Sequence, residues 1–321
     1  CKFIPLNIDR KSINPFKEFI VLIKLFLIFR KIQPNLILSF TIKPNIYSSI
    51  IARFLSIKNI VTFTGLGSSL INNNLFKKIM FFILYYSLKK TDYIFFQNKA
   101  DKEYIISKIN YIKKNSEIIP GSGIDLKKFR YDLDFKNRKS DNVNILMISR
   151  ILKDKGIYEY FNVSKKILEN YSNVNFSFLG PFDQQNPSMI TEKEFKNLLK
   201  QSNINYLGYD KNIIQYIINS DVVVLPSHRE GLPRSILEAL AIGRPIIVSN
   251  VPGCIDLVDN EKNGYIFKVT DINDFYLKLE KIVNLSHQKR YEMGLIGRKL
   301  VENKYTEDIV TNIYVKHIKN L

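Results

Sequence analysis

The stretch Asp221-Val222-Val223-Val224-Leu225-Pro226-Ser227-His228-Arg229-Glu230-Gly231-Leu232-Pro233-Arg234-Ser235-Ile236-Leu237-Glu238-Ala239 decides how the chain is read. Its opening valines form a continuous apolar run, the pattern of a short strand buried on both faces of a parallel sheet. Pro226 ends that run. Gly231 and Pro233 then make a tight turn, and a helix is predicted from near Ser235. Glu230 thereby falls in the loop at the carboxyl end of the strand, with Glu238 on the helix behind it. Ligands of open α/β sheets bind at that edge. A carboxylate there can accept two hydrogen bonds from a sugar diol, and Gly231 lets backbone amides come close to a ligand. Taken alone, the same residues also fit a plainer arrangement, with Glu230 capping the helix and Glu238 in solvent.

Runs of the same kind alternate with helical patterns on both sides of this stretch. Strands are predicted at 36–40, 60–64, 93–97, 118–119, 143–149, 174–180, 205–207, 221–226, 245–250 and 265–267. Helices are predicted at about 15–31, 44–56, 75–90, 100–109, 157–170, 191–202, 235–242 and 272–284. This βαβ alternation argues for a doubly wound α/β architecture. A polar segment, 129–142, separates two such series and is read as the linker. The expected domains are therefore 1–135 and 141–304, with a helix at 305–321 that crosses back to the first. Residues 1–8 also read as a strand, with no signal peptide visible ahead of it. The longest apolar stretches, 19–29 and 79–86, fall well short of the roughly 20 residues a membrane-spanning helix requires.

The 321 residues are 45% hydrophobic and 24% charged, which excludes a disordered chain and suits two domains. The net charge of +18 is unevenly placed: residues 1–140 carry +16 and the remainder +2. Such asymmetry points to a surface-binding half with acidic partners. Part of it also fits a genomic bias, because Ile, Lys and Asn are heavily used. Two cysteines, Cys1 and Cys254, build no disulfide framework and suit a reduced, cytoplasmic setting. With three histidines and no metal-ligand spacing, no metal site is expected.

A second motif, Ser149-Arg150-Ile151-Leu152-Lys153-Asp154-Lys155-Gly156, joins a predicted strand to a predicted helix. Two cations beside a positive helix end make an anion site suited to a diphosphate. Arg grips phosphate oxygens bidentately while Lys acts as a point charge. By itself the loop also fits a solvated basic turn.

Together the two motifs resemble the retaining glycosyltransferases of family 4, which have the GT-B fold of two Rossmann-like domains facing a central cleft. The run 239–253 and Gly264 continue the likeness, which covers nearly the whole chain. The resemblance implies a nucleotide-sugar site in the second domain. Arg150 and Lys155 would bind the donor diphosphate, Glu230 would lie by the donor sugar, and Glu238 would hold the ribose hydroxyls. Arg150, Lys155 and Glu230 are thus the expected catalytic residues. Gly208, Tyr209, Gly231, Leu232, Pro233 and Glu238 are the expected donor-binding residues. Tyr209 would face uracil on this likeness, or else be a packed aromatic. No cofactor or metal is implied, the UDP-sugar being a co-substrate.

A narrower likeness comes from Asn14-Pro15, Thr41-Ile42-Lys43-Pro44-Asn45-Ile46-Tyr47, Thr64-Gly65-Leu66-Gly67, Phe96-Gln97-Asn98 and Pro120-Gly121-Ser122-Gly123-Ile124-Asp125-Leu126. These look like a bacterial subgroup that moves a hexose or N-acetylhexosamine from a UDP-sugar to a sugar on undecaprenyl diphosphate. Its products serve protein glycosylation, O-antigen or capsule. Lys43, Thr64 and Gly65 would then lie on the acceptor side. The chain departs from the family twice. A first strand and glycine-rich loop should lie before Cys1, and many relatives place a histidine where this chain has Thr64-Gly65; no residue is given that role.

Other features read as decoys. Gly65-Leu66-Gly67-Ser68-Ser69-Leu70 is a dinucleotide fingerprint without its third glycine. Asp132-Leu133-Asp134 has the spacing of metal-dependent transferases but lies in the polar segment and reads as solvated charge. His228 reads as structural, and His287 and His317 as solvated residues on surface helices. Two other functions stay open. A GT-B sugar-nucleotide epimerase needs acid and base groups that are not found. A basic nucleic-acid-binding protein needs aromatic-basic interleaving on another fold, and no nucleic-acid partner is expected. Docking to an anionic membrane surface on the cytoplasmic face of the inner membrane is expected from Lys17, Lys24 and Lys31 on one helix, and from Lys77-Lys78 and Lys89-Lys90 around another.

Overall fold

The computed structural model describes residues 2–6, 14–66, 75–138 and 140–321, apart from the side chain of Phe76. Cys1, Asn7 and Ile8 of the predicted opening strand, and Gly67 to Leu70 of the glycine decoy, lie outside the described residues. Residues 2–6 join no strand. The chain divides into two units, residues 1–121 with 311–321, and residues 122–310.

In the first unit α1 (Pro15–Ile32), β1 (Leu36–Phe40), α2 (Ile42–Leu55), β2 (Lys58–Phe63), α3 (Leu75–Ser87), β3 (Tyr93–Phe96), α4 (Lys99–Lys108) and β4 (Ser116–Ile118) follow one another. The strands are parallel, in the order β1-β2-β3-β4. Successive strand side chains point to opposite faces, so both faces must be apolar and covered. Val61, Phe63, Ile94 and Phe96 pack against Tyr47, Leu84 and Ile105 of the helices. On the other face Ile60 and Phe95 meet Ile313 and Tyr314 from the end of the chain.

The second unit contains β5 (Val143–Ile148), α5 (Ile157–Leu168), β6 (Val174–Leu179), α6 (Glu192–Lys200), β7 (Ile204–Tyr206), α7 (Ile214–Ile218), β8 (Val222–Leu225), α8 (Arg234–Ile242), β9 (Ile246–Ser249), β10 (Gly264–Phe267), α9 (Ile272–Val283) and α10 (His287–Lys304). Its six parallel strands are ordered β10-β9-β8-β5-β6-β7. Val143, Ile145 and Met147 face one core with α5 and α9. Leu146 and Ile148 face the other, with α8 and α10. From β5 the chain winds outward to β6 and β7, then returns to the other side of β5 as β8. The strand order therefore reverses between β5 and β8, which is where open α/β sheets form their ligand crevice.

The polar segment 129–142 is not a free linker. Its described residues belong to the second unit, and the division falls earlier, between Gly121 and Ser122. Ile124 N–H donates to the Tyr305 carbonyl at 2.8 Å, and Asp132 N–H to that of Ile242 at 3.0 Å. Phe135 is buried under the Arg244 guanidinium, 3.8 Å from its ring centre. Arg244 is fully buried and paired with Asp132, so Asp132 is an internal counter-ion and not solvated charge. The segment reads as polar because its partners are guanidinium groups and carbonyls. A last helix, α11 (Glu307–Lys319), carries the chain from the second unit into the first. No helix of the described residues is long and apolar enough to cross a membrane.

Candidate active site

Two loops leave the carboxyl ends of β5 and β8 at the reversal point, and they bring the two sequence motifs together. Gly156, at φ +75°, begins α5 in the left-handed conformation. A Cβ there would lie 2.0 Å from the Pro226 carbonyl oxygen, so only glycine permits this approach. The His228 N–H donates to the Asp154 carbonyl at 2.8 Å and ties the two loops. At this junction Lys155 Nζ lies 2.6 Å from Glu230 Oε1, and Ser227 Oγ donates to the same oxygen at 2.6 Å. Lys155 and Glu230 are both largely buried. Glu230 therefore does not cap α8; Pro233 occupies that position.

The turn beneath is equally constrained. At Gly253 an added Cβ would meet the Gly231 carbonyl oxygen at 2.0 Å. Gly231, Leu232 and Pro233 are buried, and the Leu232 side chain packs into the core under α8. Leu232 thus anchors the turn. Glu238 is buried on α8, 3.6 Å from Arg234 Nε, and not in solvent. Burial raises its pKa above 4.5, against the opposing charges of Arg234 and Lys128.

Arg150 leaves the end of β5 and meets Asp183, which follows β6, at 2.6 Å. Gly208 and Tyr209 follow β7. The Gly208 carbonyl accepts from Gly180 N–H at 2.8 Å, and Tyr209 is 60% exposed, so it is not a packed aromatic. His228 Nε2 lies 2.8 Å from Glu159 of α5, whose hydrogen bond raises the histidine pKa above 6.5 while burial opposes it.

Lys43, Thr64 and Gly65 belong to the other unit, beyond the carboxyl ends of β1 and β2. Lys43 is paired with Glu18 of α1 at 2.7 Å, and Glu18 also accepts from the Tyr47 hydroxyl. His287 contacts the Phe135 carbonyl and ring, and His317 sits 2.8 Å from Glu117 with its ring on Tyr93, so neither is merely solvated. Sequence reasoning missed Ser227, Asp183 and Glu159. Ser227 stands inside the quoted motif, and Asp183 closely follows the predicted strand beside β5; Glu159 carries no such signal. Among the described residues no group of three or more His, Cys, Asp or Glu side chains is placed to hold a metal ion.

A family model described as "Glycosyl transferases group 1" matches residues 130–300, and one described as "Glycosyl transferase 4-like" matches residues 1–98. A capsular polysaccharide biosynthesis glycosyltransferase, CapM of Staphylococcus aureus, is 32% identical over 315 residues, covering 94% of this chain and 80% of its own length. The N,N'-diacetylbacillosaminyl-diphospho-undecaprenol alpha-1,3-N-acetylgalactosaminyltransferase of Campylobacter jejuni is 30% identical over 98% of this chain and 85% of its own. Among solved structures, HepE of Anabaena in complex with UDP and glucose matches with a TM-score of 0.79 at 14% identity, over 98% of this chain and 85% of its own. The reversal point, the loops that meet there and the sequence matches on both sides of them converge on one assignment: this chain belongs to the glycosyl transferase group 1 family and is a glycosyltransferase of GT-B fold.

Proposed function

We propose that the enzyme moves a hexose or N-acetylhexosamine from a UDP-sugar to a sugar carried on undecaprenyl diphosphate, with retention of anomeric configuration, in bacterial glycan biosynthesis. The observation that carries this reading is the meeting of Lys155 and Glu230 at the reversal point of the second sheet, with Arg150 on the same loop as Lys155. The two relatives above support the acceptor class through what their names say they make or act on.

Negative charge develops on the diphosphate as the sugar–oxygen bond breaks. Cations already held in place stabilise that charge without reorganising. Lys155 would exchange its partner Glu230 for a phosphate oxygen, and Glu230 would then be available to the donor sugar. Glu238 would hold the ribose hydroxyls from α8, and the exposed ring of Tyr209 would cover the uracil. A double displacement needs two carboxyls about 5 Å apart across the scissile bond. With Glu238 committed to the ribose, a front-face course suits these residues better: the acceptor hydroxyl attacks the face the diphosphate leaves and passes its proton to a departing phosphate oxygen. Neither metal nor cofactor enters this scheme.

A lipid-linked acceptor also calls for docking at the cytoplasmic face of the membrane. Phe16, Phe19 and Leu27 of α1, with Phe82 and Tyr86 of α3, are exposed apolar side chains on helices that also carry Lys17, Lys24, Lys31, Lys77 and Lys78. That combination suits an anionic lipid surface.

Incubation with radiolabelled UDP-sugars, with and without a bacterial lipid extract, tests the reaction. Label should enter the organic phase only when the extract is present. Hydrolysis or isomerisation of the sugar nucleotide, with no label in lipid from any donor, would overturn the reading.

A further inference from the structure

The Arg150 side chain is held through one nitrogen by Asp183, and that contact gives Asp183 a role. The inference rests on the diphosphate reading of Arg150 above. Gly180-Pro181-Phe182-Asp183 leaves β6 beside the exit of β5, and the two segments are laced together. Ile151 N–H donates to the Pro181 carbonyl at 2.9 Å, and Lys153 N–H to that of Ser188 at 2.7 Å. A Cβ on Gly180 would lie 1.6 Å from the Ser149 carbonyl oxygen, so the segments are in direct contact. Asp183 is therefore fixed relative to the loop that carries Arg150. Its side chain is 16% exposed while that of Arg150 is 44% exposed.

The geometry of the contact matters. Asp183 Oδ2 accepts from Arg150 Nη1 at 2.6 Å. This is a one-armed contact, not the two-armed clasp by which a carboxylate fills the guanidinium fork. A guanidinium carries five N–H donors in a plane, so the edge formed by Nε and Nη2 is not spent on Asp183. A long, half-exposed side chain that must grip two phosphate oxygens gains most from being held beforehand, because the rotamer entropy is then lost before the ligand arrives.

We infer that Asp183 is a positioning residue for the donor diphosphate: it anchors Arg150 by one nitrogen and leaves the Nε–Nη2 edge for two phosphate oxygens. A carboxylate that merely occupied the anion's place would have to leave when the donor binds, and its removal would strengthen binding. A positioning carboxylate stays, and its removal weakens binding through Arg150 alone. Asn at this position keeps an acceptor oxygen for Nη1 and retains most of the effect.

Calorimetric titration of the full chain with UDP separates these cases. Asp183→Ala should weaken UDP binding about tenfold in the otherwise unchanged enzyme, but by less than about threefold in an Arg150→Ala background, since coupled residues are not additive. Asp183→Asn should bind UDP within about threefold of the parent, and Asp183→Ser replaces the alanine variant if that one does not fold. Unchanged or tighter binding by Asp183→Ala overturns the inference. So does an equal loss in both backgrounds, which is what a purely structural role of the loop produces. An Arg150→Ala enzyme that binds UDP as well as its parent would instead remove the diphosphate reading itself, and the assignment of Asp183 with it.

Discussion

Lys155 reaches Glu230 only because two loops converge, and its side chain is largely buried in doing so. On the diphosphate reading proposed above, removing it acts on the leaving group and not on a solvated surface. Lys155→Ala and Arg150→Ala should each lower turnover about a hundredfold, the effect of losing on the order of 3 kcal/mol of stabilisation of developing charge. Steady-state rates, with unfolding midpoints as a control, check this; near-normal turnover in both variants would contradict the diphosphate assignment. His228 offers a pH-dependent counterpart. Its hydrogen bond to Glu159, joined by the charges of Glu159 and Asp154, outweighs burial and raises its pKa above 6.5. The folded state thus favours the imidazolium. That contribution is complete below the unfolded value and is lost as pH rises through the raised one. The gap in unfolding midpoint between the parent and His228→Gln should be wider at about pH 6 than at about pH 8.5. An equal gap at both would show that the pair carries no linked charge.

Among the elements, the entry to α5 is tightly constrained. Gly156 combines a left-handed backbone with a carbonyl pressed where a side chain would begin. Gly156→Ala has to push α5 away from the end of β8, at a cost of roughly 1–3 kcal/mol for the backbone strain alone. A fall of several degrees in the unfolding midpoint, with weaker UDP binding because Lys155 moves relative to Glu230, is the expected result. The strands of this sheet were legible because burial on both faces writes a continuous apolar run such as Val222–Leu225. The motif loops were legible because they join such runs to helical patterns. What escaped has a physical cause in each case. At five residues α7 is too short to display a helical period, and the sequence offered no sign of it. Arg244 and Asp132 are far apart in sequence, and a buried ion pair looks like two surface charges until the fold joins them. Glu159 is joined to the motif loops only through His228, a contact that no spacing in the sequence announces.

At the scale of the molecule, the first 140 residues carry +16, and α1 and α3 add exposed aromatic and aliphatic side chains to that charge. Each Lys or Arg near an anionic surface contributes about 1 kcal/mol, and the attraction falls within a Debye length. Flotation with liposomes should therefore show binding that requires anionic lipid and declines with salt. It should weaken when Lys77, Lys78, Lys89 and Lys90 are changed to Glu. Equal recovery with neutral and anionic liposomes would exclude electrostatic docking. The end of the chain has an effect of another kind. Residues 311–321 belong to the first unit, where Tyr314 packs on Phe95 and hydrogen-bonds Thr62 at 2.6 Å. During synthesis the second unit consequently has all of its residues before the first does. Ile60 and Phe95 of the amino-terminal sheet lack Ile313 and Tyr314 until residues 311–321 have been made, so translation order and the order of completion are opposed.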